Sequence, residues 1–458
     1  METDRVPMVA DSSVHTAHVP GRRCLGLRYF VAIVALAGLG AAQSTGIAVR
    51  HHKVAEEDPA FPKELIEAEA AIEKKDYATA EPLLSKVVTA NSANYQAWFD
   101  LGFVYNALGG TNDAIAAYRN SVAAKPDVFE SNLNLGLTLV KTGQADDAEQ
   151  FLRAATKLTP TSHVEEGRAR AWVSLGHVLE TSKPDEAVEA YRQAAALQPN
   201  DLEPHLSAGL LLEKQDRFAD AEQEYKQALA LDSSSADALT GLANIYMRGH
   251  RFTEAEGILR KLVALHSADA NAHLQLGRML AADGQNDNAI VELQSALKLA
   301  PSDVEAQRDL AAVYATARKY DQAEAQYRSL LAARPNDAES HLGLGQALLK
   351  QKKFPQAQQE LLVAINLKPT LDAAYGDLAI AADENKNYQL TIKALDARAK
   401  LVPEIPVTYF LRATAYDHLR LYKPAAENYH RFLEVADGRF PDQEWQARHR
   451  LIAIEPKK

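Results

Sequence analysis

A 34-residue repetition limits what this chain can fold into more than any other feature. It starts at Phe61 and runs to Arg439 in eleven windows. One place in the register holds Ala68, Gly102, Gly136, Gly176, Gly209, Ala243, Gly277, Ala311, Gly345, Ala379 and Ala413, so it is Gly or Ala throughout. Twelve residues on, or eleven in the fourth window, stand Ala80, Ala114, Ala148, Ala187, Ala221, Ala255, Ala289, Ala323, Ala357, Thr391 and Ala425. Only a very small side chain lets two helix axes approach to about 8 Å, so these two places mark a helix–helix contact. Four residues further comes a large side chain, such as Tyr118, Tyr225 or Leu361, and a spacing of four keeps both on one helical face. Seven windows close on Pro126, Pro160, Pro199, Pro301, Pro335, Pro369 and Pro403, which cannot continue a helix. Glycines at 109, 110, 143, 249 and 284 break the middle of several windows, so each window reads as two helices and two turns.

The phase slips twice, by six inserted residues near Thr161 to Arg168 and by one deleted residue around Thr181 to Pro184. Neither slip falls inside the periodic part of a helix. A long coiled coil is the competing fold for such an Ala- and Leu-rich chain, but Pro and Gly at this interval would break its heptads. Trp98, Leu101, Gly102, Tyr105, Ala114, Tyr118 and Pro126 carry the signature of one window, and with them the chain resembles the tetratricopeptide repeat family over Phe61 to Arg439. The resemblance implies an all-α fold, a right-handed superhelical α-solenoid whose concave groove is lined by the first helix of each pair. An array of this kind needs a polar cap at its open end. Pro441 to Ile454 is expected to supply one, with Trp445, Leu451 and Ile454 packed on the last repeat and Arg448, His449 and Arg450 in water. The domain organisation is then residues 1–42 as an export signal or anchor, 43–60 as a linker, 61–439 as repeats and 440–458 as cap and tail.

The amino-terminal segment sets the expected location. Arg22, Arg23 and Arg28 precede an uncharged run from Tyr29 to Ala42, and Gly40 and Ala42 offer small residues for cleavage before Gln43. That pattern favours export to a periplasmic or extracellular space. Retained instead, residues 25–42 would anchor the repeats in a membrane. Cys24 is the single cysteine and lies in the same segment, so no intramolecular disulfide can form. A net charge of -11 opposes a phosphate backbone, and nucleic acid is not an expected partner.

Positions beside the small packing residues are the candidates for partner binding, since they lie off the contact face. Early windows place Phe99, Phe103, Leu133, Leu137 and Val173 there; later ones place Asn244, Arg248, Asn271, Gln275, Arg278 and Arg308. Read functionally, the apolar group docks side chains while the amide and Arg group grips carboxylates or backbone. The alternatives are inter-repeat packing for the aromatics and, for the arginines, a solvated face paired with Glu305 or Asp309. A carboxylate clamp, known in some members of the family, survives here only as fragments in Thr240, Asn244, Gln275 and Arg278. His205, His273 and His341 recur 68 residues apart at a packing position, too far apart to share a metal. Tyr77, Phe218, Phe252, Tyr320, Phe354, Tyr388 and Tyr422 recur just before the expected second helix, where a large residue can staple the turn or pack in the core. No phosphate loop, zinc spacing or nucleophile elbow occurs. The reading is a non-catalytic scaffold without cofactor whose partners are proteins or peptides. A self-assembling array and repeat support for an enzyme are the rivals.

Overall fold

The structure, a computed structural model, describes residues 62–455; the expected signal or anchor, linker and final three residues lie outside it. All regular structure among the described residues is helical. The chain divides into two compact units. The first, the described residues up to Gly143 with Leu158–Thr161, holds α1 (Lys63–Glu73), α2 (Tyr77–Ala90), α3 (Tyr95–Ala107), α4 (Thr111–Ala124) and α5 (Phe129–Lys141). The second, Gln144–Lys157 and the described residues from Ser162, opens with α6 (Ala145–Lys157). Pairs then follow in order: α7 (Val164–Leu179) with α8 (Pro184–Leu197), α9 (Glu203–Lys214) with α10 (Phe218–Leu231), and α11 (Ala236–Arg248) with α12 (Phe252–Leu265). Next come α13 (Ala270–Ala282) with α14 (Asn286–Leu299), α15 (Val304–Thr316) with α16 (Tyr320–Ala333), and α17 (Ala338–Lys350) with α18 (Phe354–Leu367). The last pairs are α19 (Asp372–Glu384) with α20 (Tyr388–Ala399) and α21 (Pro406–His418) with α22 (Tyr422–Ala436), before α23 (Pro441–Ile454).

Local chemistry starts and stops these helices. Side chains of Asp76, Asn94, Ser235, Asp269, Asp303 and Asn387 accept from backbone N–H groups in the first turn of the helix that follows. Each such cap is worth about 1 kcal/mol. Inside the pairs the turn recurs with one residue in the left-handed region: Lys75, Gly109, Gly143, Asp216, His250, Gly284, Arg318, Lys352, Lys386 and Arg420. These stand 34 residues apart except across the two phase slips. Gly249, a breaker by sequence, is not that residue; its φ is -80° and the following His250 takes φ 54°. The deletion in the fourth window is absorbed at the same place, where α7 ends early and no residue from 180 to 183 has positive φ. The insertion before it adds residues to the start of α7, which at 16 residues is longer than the other first helices.

The small-residue places are buried wherever they occur in the register, Thr391 included. Their function is explicit at the glycines. A Cβ on Gly102 would lie 2.7 Å from the Tyr118 ring, one on Gly209 2.8 Å from Tyr225, and one on Gly345 2.7 Å from Leu361 Cγ. The large residue four places beyond the small one of the second helix therefore fills the space that a side chain on the first helix would take. In the second unit, first helices of successive pairs also touch each other: α9 with α11, α13 with α15, α15 with α17, α17 with α19, and α19 with α21. Each second helix makes its main contact across the pair boundary with the following first helix. The first helices thus form the more closely spaced layer of this unit.

The cap departs from expectation in one side chain. Leu451 is buried and Ile454 packs on the terminal cluster of Tyr429, Phe432 and Ala436. Trp445 is 61% exposed, with its ring 3.9 Å from that of His449. Ala447 follows Ala413 by another 34 residues, so the small-residue register continues and turns Glu444, Ala447 and Leu451 inward. A residue one step from Glu444 is then rotated by about 100°, which carries Trp445 outward.

Candidate functional site

The first-helix layer presents one side chain per helix immediately after each small packing residue. In the second unit these are His177, Leu210, Asn244, Arg278, Ala312, Gln346, Ile380 and Thr414, each exposed or half-buried. Asn244 and Arg278 were anticipated; Leu210 and Ile380, 49% and 42% exposed, were not. The register alone could have found them, since they follow Gly209 and Ala379 as Arg278 follows Gly277.

In the first unit Phe103 and Leu137 hold the same place and are half-buried, and the Phe103 ring meets Tyr77 edge-on at 6.2 Å. Phe99 and Leu133, expected on an accessible face, are buried instead. Each lies three residues before a small packing residue and shares its face, and the Phe99 ring sits 5.6 Å from Tyr118. Leu274, three residues before Gly277, is buried for the same reason. Val173 is half-buried.

The basic stretch is charge-compensated. Arg278 donates through Nε to Asp309 and lies 3.4 Å from Glu305. Arg308 donates to Glu305 at 3.1 Å and to Asp337 at 2.9 Å. Burial pushes the Asp309 carboxyl above the usual range, and Arg278 only partly offsets this. Burial also raises Asp337, but the bonds from Arg308 and Ser340 win and hold it low. Upstream, Arg248 stands 3.6 Å from Asp216 and over the Phe218 ring at 5.3 Å. Glu213, raised by burial, is eased by bonds from Tyr225 and Asn244 and by the charge of Arg248. Asn271 is exposed, while Gln275 keeps a buried Oε1 with no donor. The arrangement thus links neighbouring first helices through ion pairs and leaves the Leu210 and Ile380 tips solvated.

The three recurring histidines each hold a glutamate 19 residues on: His205 with Glu224 at 2.8 Å, His273 with Glu292 at 2.7 Å and His341 with Glu360 at 2.6 Å. These bonds tie first helix to second within a pair. The glutamates recur at the same 68-residue interval, so the partnership was legible in the sequence. Among the described residues no cluster of three or more His, Cys, Asp or Glu is placed to hold a metal. None of the described helices is long and apolar enough to cross a membrane.

Stacked helix pairs with a shared first-helix face define an α-solenoid repeat protein. Comparison with known families agrees: the model for the C-terminal domain of cilia and flagella-associated protein 70 matches residues 53–310, and a tetratricopeptide repeat model matches residues 308–372. The chain belongs to the tetratricopeptide repeat family. Among curated relatives, human protein O-mannosyl-transferase TMTC3 is 24% identical over 158 residues, 32% of this chain and 17% of that protein. The CTR9 homolog of Arabidopsis thaliana is 31% identical over 100 residues, 22% of this chain and 9% of that protein. The chain therefore spans less than a fifth of either relative. Of solved structures, the tetratricopeptide protein YrrB is 25% identical with a TM-score of 0.38, covering 41% of this chain and 97% of its own.

Proposed function

We propose that the chain is a non-catalytic scaffold that binds a segment of a partner protein along its first-helix face, in the envelope or periplasm of a bacterium. The observation that carries this reading is the row of accessible side chains, one per first helix, in which Leu210 and Ile380 offer apolar tips and Asn244 and Gln346 offer amides. An extended or helical segment laid across such a row meets one side chain per repeat, with apolar anchors for affinity and amides for register. The described residues are given over to repeats and cap, which supports binding over chemistry. The location rests on Arg22, Arg23 and Arg28 ahead of the uncharged run to Ala42.

Replacing Leu210 and Ile380 together by Asp tests the binding face. Both tips are solvated already, so helical circular dichroism should be unchanged while recovery of crosslinked partners from cell envelopes falls. Unchanged recovery would reject this face as the docking surface. Intact mass of the protein from its native host should begin at Gln43; a full-length chain in membranes would favour the anchor.

A further inference from the structure

In the last four pairs the turn residue with left-handed backbone is a base: Arg318, Lys352, Lys386 and Arg420, with φ of 59°, 62°, 58° and 59°. They stand 34 residues apart, between α15 and α16, α17 and α18, α19 and α20, and α21 and α22. Earlier turns put Gly109, Gly143 and Gly284 there, and glycine takes this conformation without the steric cost that a Cβ brings. Four successive repeats thus keep a long basic side chain against the preference of the backbone. All four residues are exposed, and none of their side chains is ion-paired among the described residues.

The pairs run in the same direction, so these turns share one edge of the array, about 10 Å apart where successive first helices touch. Segments 315–323, 349–357, 383–391 and 417–425, which form that edge, hold eight Lys or Arg against four Asp or Glu, in a chain of net charge -11. Lys319 and Lys353 bind Asp287 and Glu324 inside the array, at 2.7 and 2.9 Å, and Asp417 is held by Arg450 at 2.8 Å. The four turn bases remain unmatched. The eleventh turn adds apolar tips. Leu421 follows Arg420 and is 49% exposed, where the nine other turns of this kind carry Asp, Gly, Gln, Arg, Lys or Asn. Tyr422 beside it is 42% exposed, whereas Phe218, Phe252, Tyr320, Phe354 and Tyr388 at the same place are half-buried. A row of unmatched bases that ends in solvated Leu and Tyr fits an anionic surface with an apolar layer beneath it. A second copy of the chain does not offer one. On the opposite edge Glu305 and Asp337 are held by Arg308, Glu339 by Lys368 and Glu404 by Arg412.

We propose that this edge of the last four repeats lies on a bilayer that contains anionic phospholipid, with the four bases among the headgroups and Leu421 and Tyr422 at the acyl boundary. The edge is made of helix ends and is separate from the first-helix face, so the proposal stands apart from the docking of a partner protein there. The test is co-sedimentation of the full chain with vesicles of phosphatidylcholine alone and of phosphatidylcholine with about 30% phosphatidylglycerol. Residues 25–42 are the same in every variant, so insertion by that segment cancels in the comparison. Each base held at an anionic surface contributes about fivefold at low salt, and the anionic vesicles should be preferred at least about tenfold. Replacing all four bases by Gly should abolish the preference and leave the urea midpoint at or above that of the parent, because Gly relaxes the turns. Replacing all four by Gln, which keeps a long side chain without its charge, should abolish it too. Exchanging Arg for Lys and Lys for Arg at the four places should keep it, and Leu421→Gln should weaken binding to the anionic vesicles. Equal binding to the two kinds of vesicle, or a preference that survives in the Gly and Gln variants, overturns the proposal. So does retention of soluble polyglutamate without a vesicle preference, which would assign the edge to an acidic polypeptide.

Discussion

Two glycines in adjacent repeats allow one substitution to be read with opposite signs. Gly277 lies within α13 and Gly257 within α12, both in helix interiors. A Cβ on Gly257 meets nothing within 4 Å, whereas one on Gly277 would lie 2.7 Å from Leu293 Cγ and 3.3 Å from the Leu293 backbone nitrogen. Gly→Ala in a helix interior should gain about 0.5–1 kcal/mol from lowered backbone entropy. At Gly257 nothing opposes that gain. At Gly277 the new methyl must displace Leu293 of the second helix α14, and overpacking of this kind costs about 1–3 kcal/mol. The net is a loss of up to about 2 kcal/mol at Gly277 against a gain of about 0.5–1 kcal/mol at Gly257. Repeat arrays need not unfold in one step, so urea midpoints should be paired with amide exchange in α12 to α14. If Gly277→Ala stabilises as much as Gly257→Ala, small residues are not what sets helix spacing here.

Asp383 has a buried Oδ1 without a donor, and burial pushes its carboxyl up to about 6 against the opposing charge of His418. Because this folded value lies above the ordinary one, stability is gained as pH falls through about 6 and lost as it rises. Asp383→Asn should therefore raise the urea midpoint at about pH 7.5 and change it little at about pH 4.5; the opposite order would refute the burial argument. His273→Ala removes the bond to Glu292 and should cost about 1 kcal/mol in thermal or urea unfolding; an unchanged midpoint would contradict this. The pair α19 and α20, carrying Gly376, Thr391 and Arg398 in place of packing residues, should exchange amide hydrogens before α13 to α18; uniform protection would contradict this.

Helix pairs and their contact points were legible because volume is a property of residue type. Gly102 can only be where Tyr118 needs room, and a 34-residue recurrence repeats that statement along the chain. Charge partners were less legible. Arg278 and Arg308 could reach water, a ligand or a carboxylate from the same backbone position; Glu305 and Asp309 were named as alternatives and are their partners, whereas Asp337, the N-cap residue of the next first helix and a further partner of Arg308, was not. Phe99 shows the limit of reading one helix at a time: it was expected on an accessible face, yet it stands three residues before Gly102 and Tyr118 closes over it from the second helix. Trp445 was misplaced by its apolarity, when the continuing small-residue register at Ala447 fixed the inward face. Gly376 and Arg398 were each visible as exceptions, but their meeting depends on two helices packing.

Binding on the first-helix face is tested most directly by placing a photocrosslinking amino acid at Leu210, Ile380 and Val291 in turn, in the native cell envelope. Val291, on the second helix α14, is 58% exposed and serves as the outward-facing reference. The same partner should crosslink from Leu210 and Ile380 and be absent from Val291. Crosslinking from Val291 with none from the two first-helix positions would contradict binding on that face.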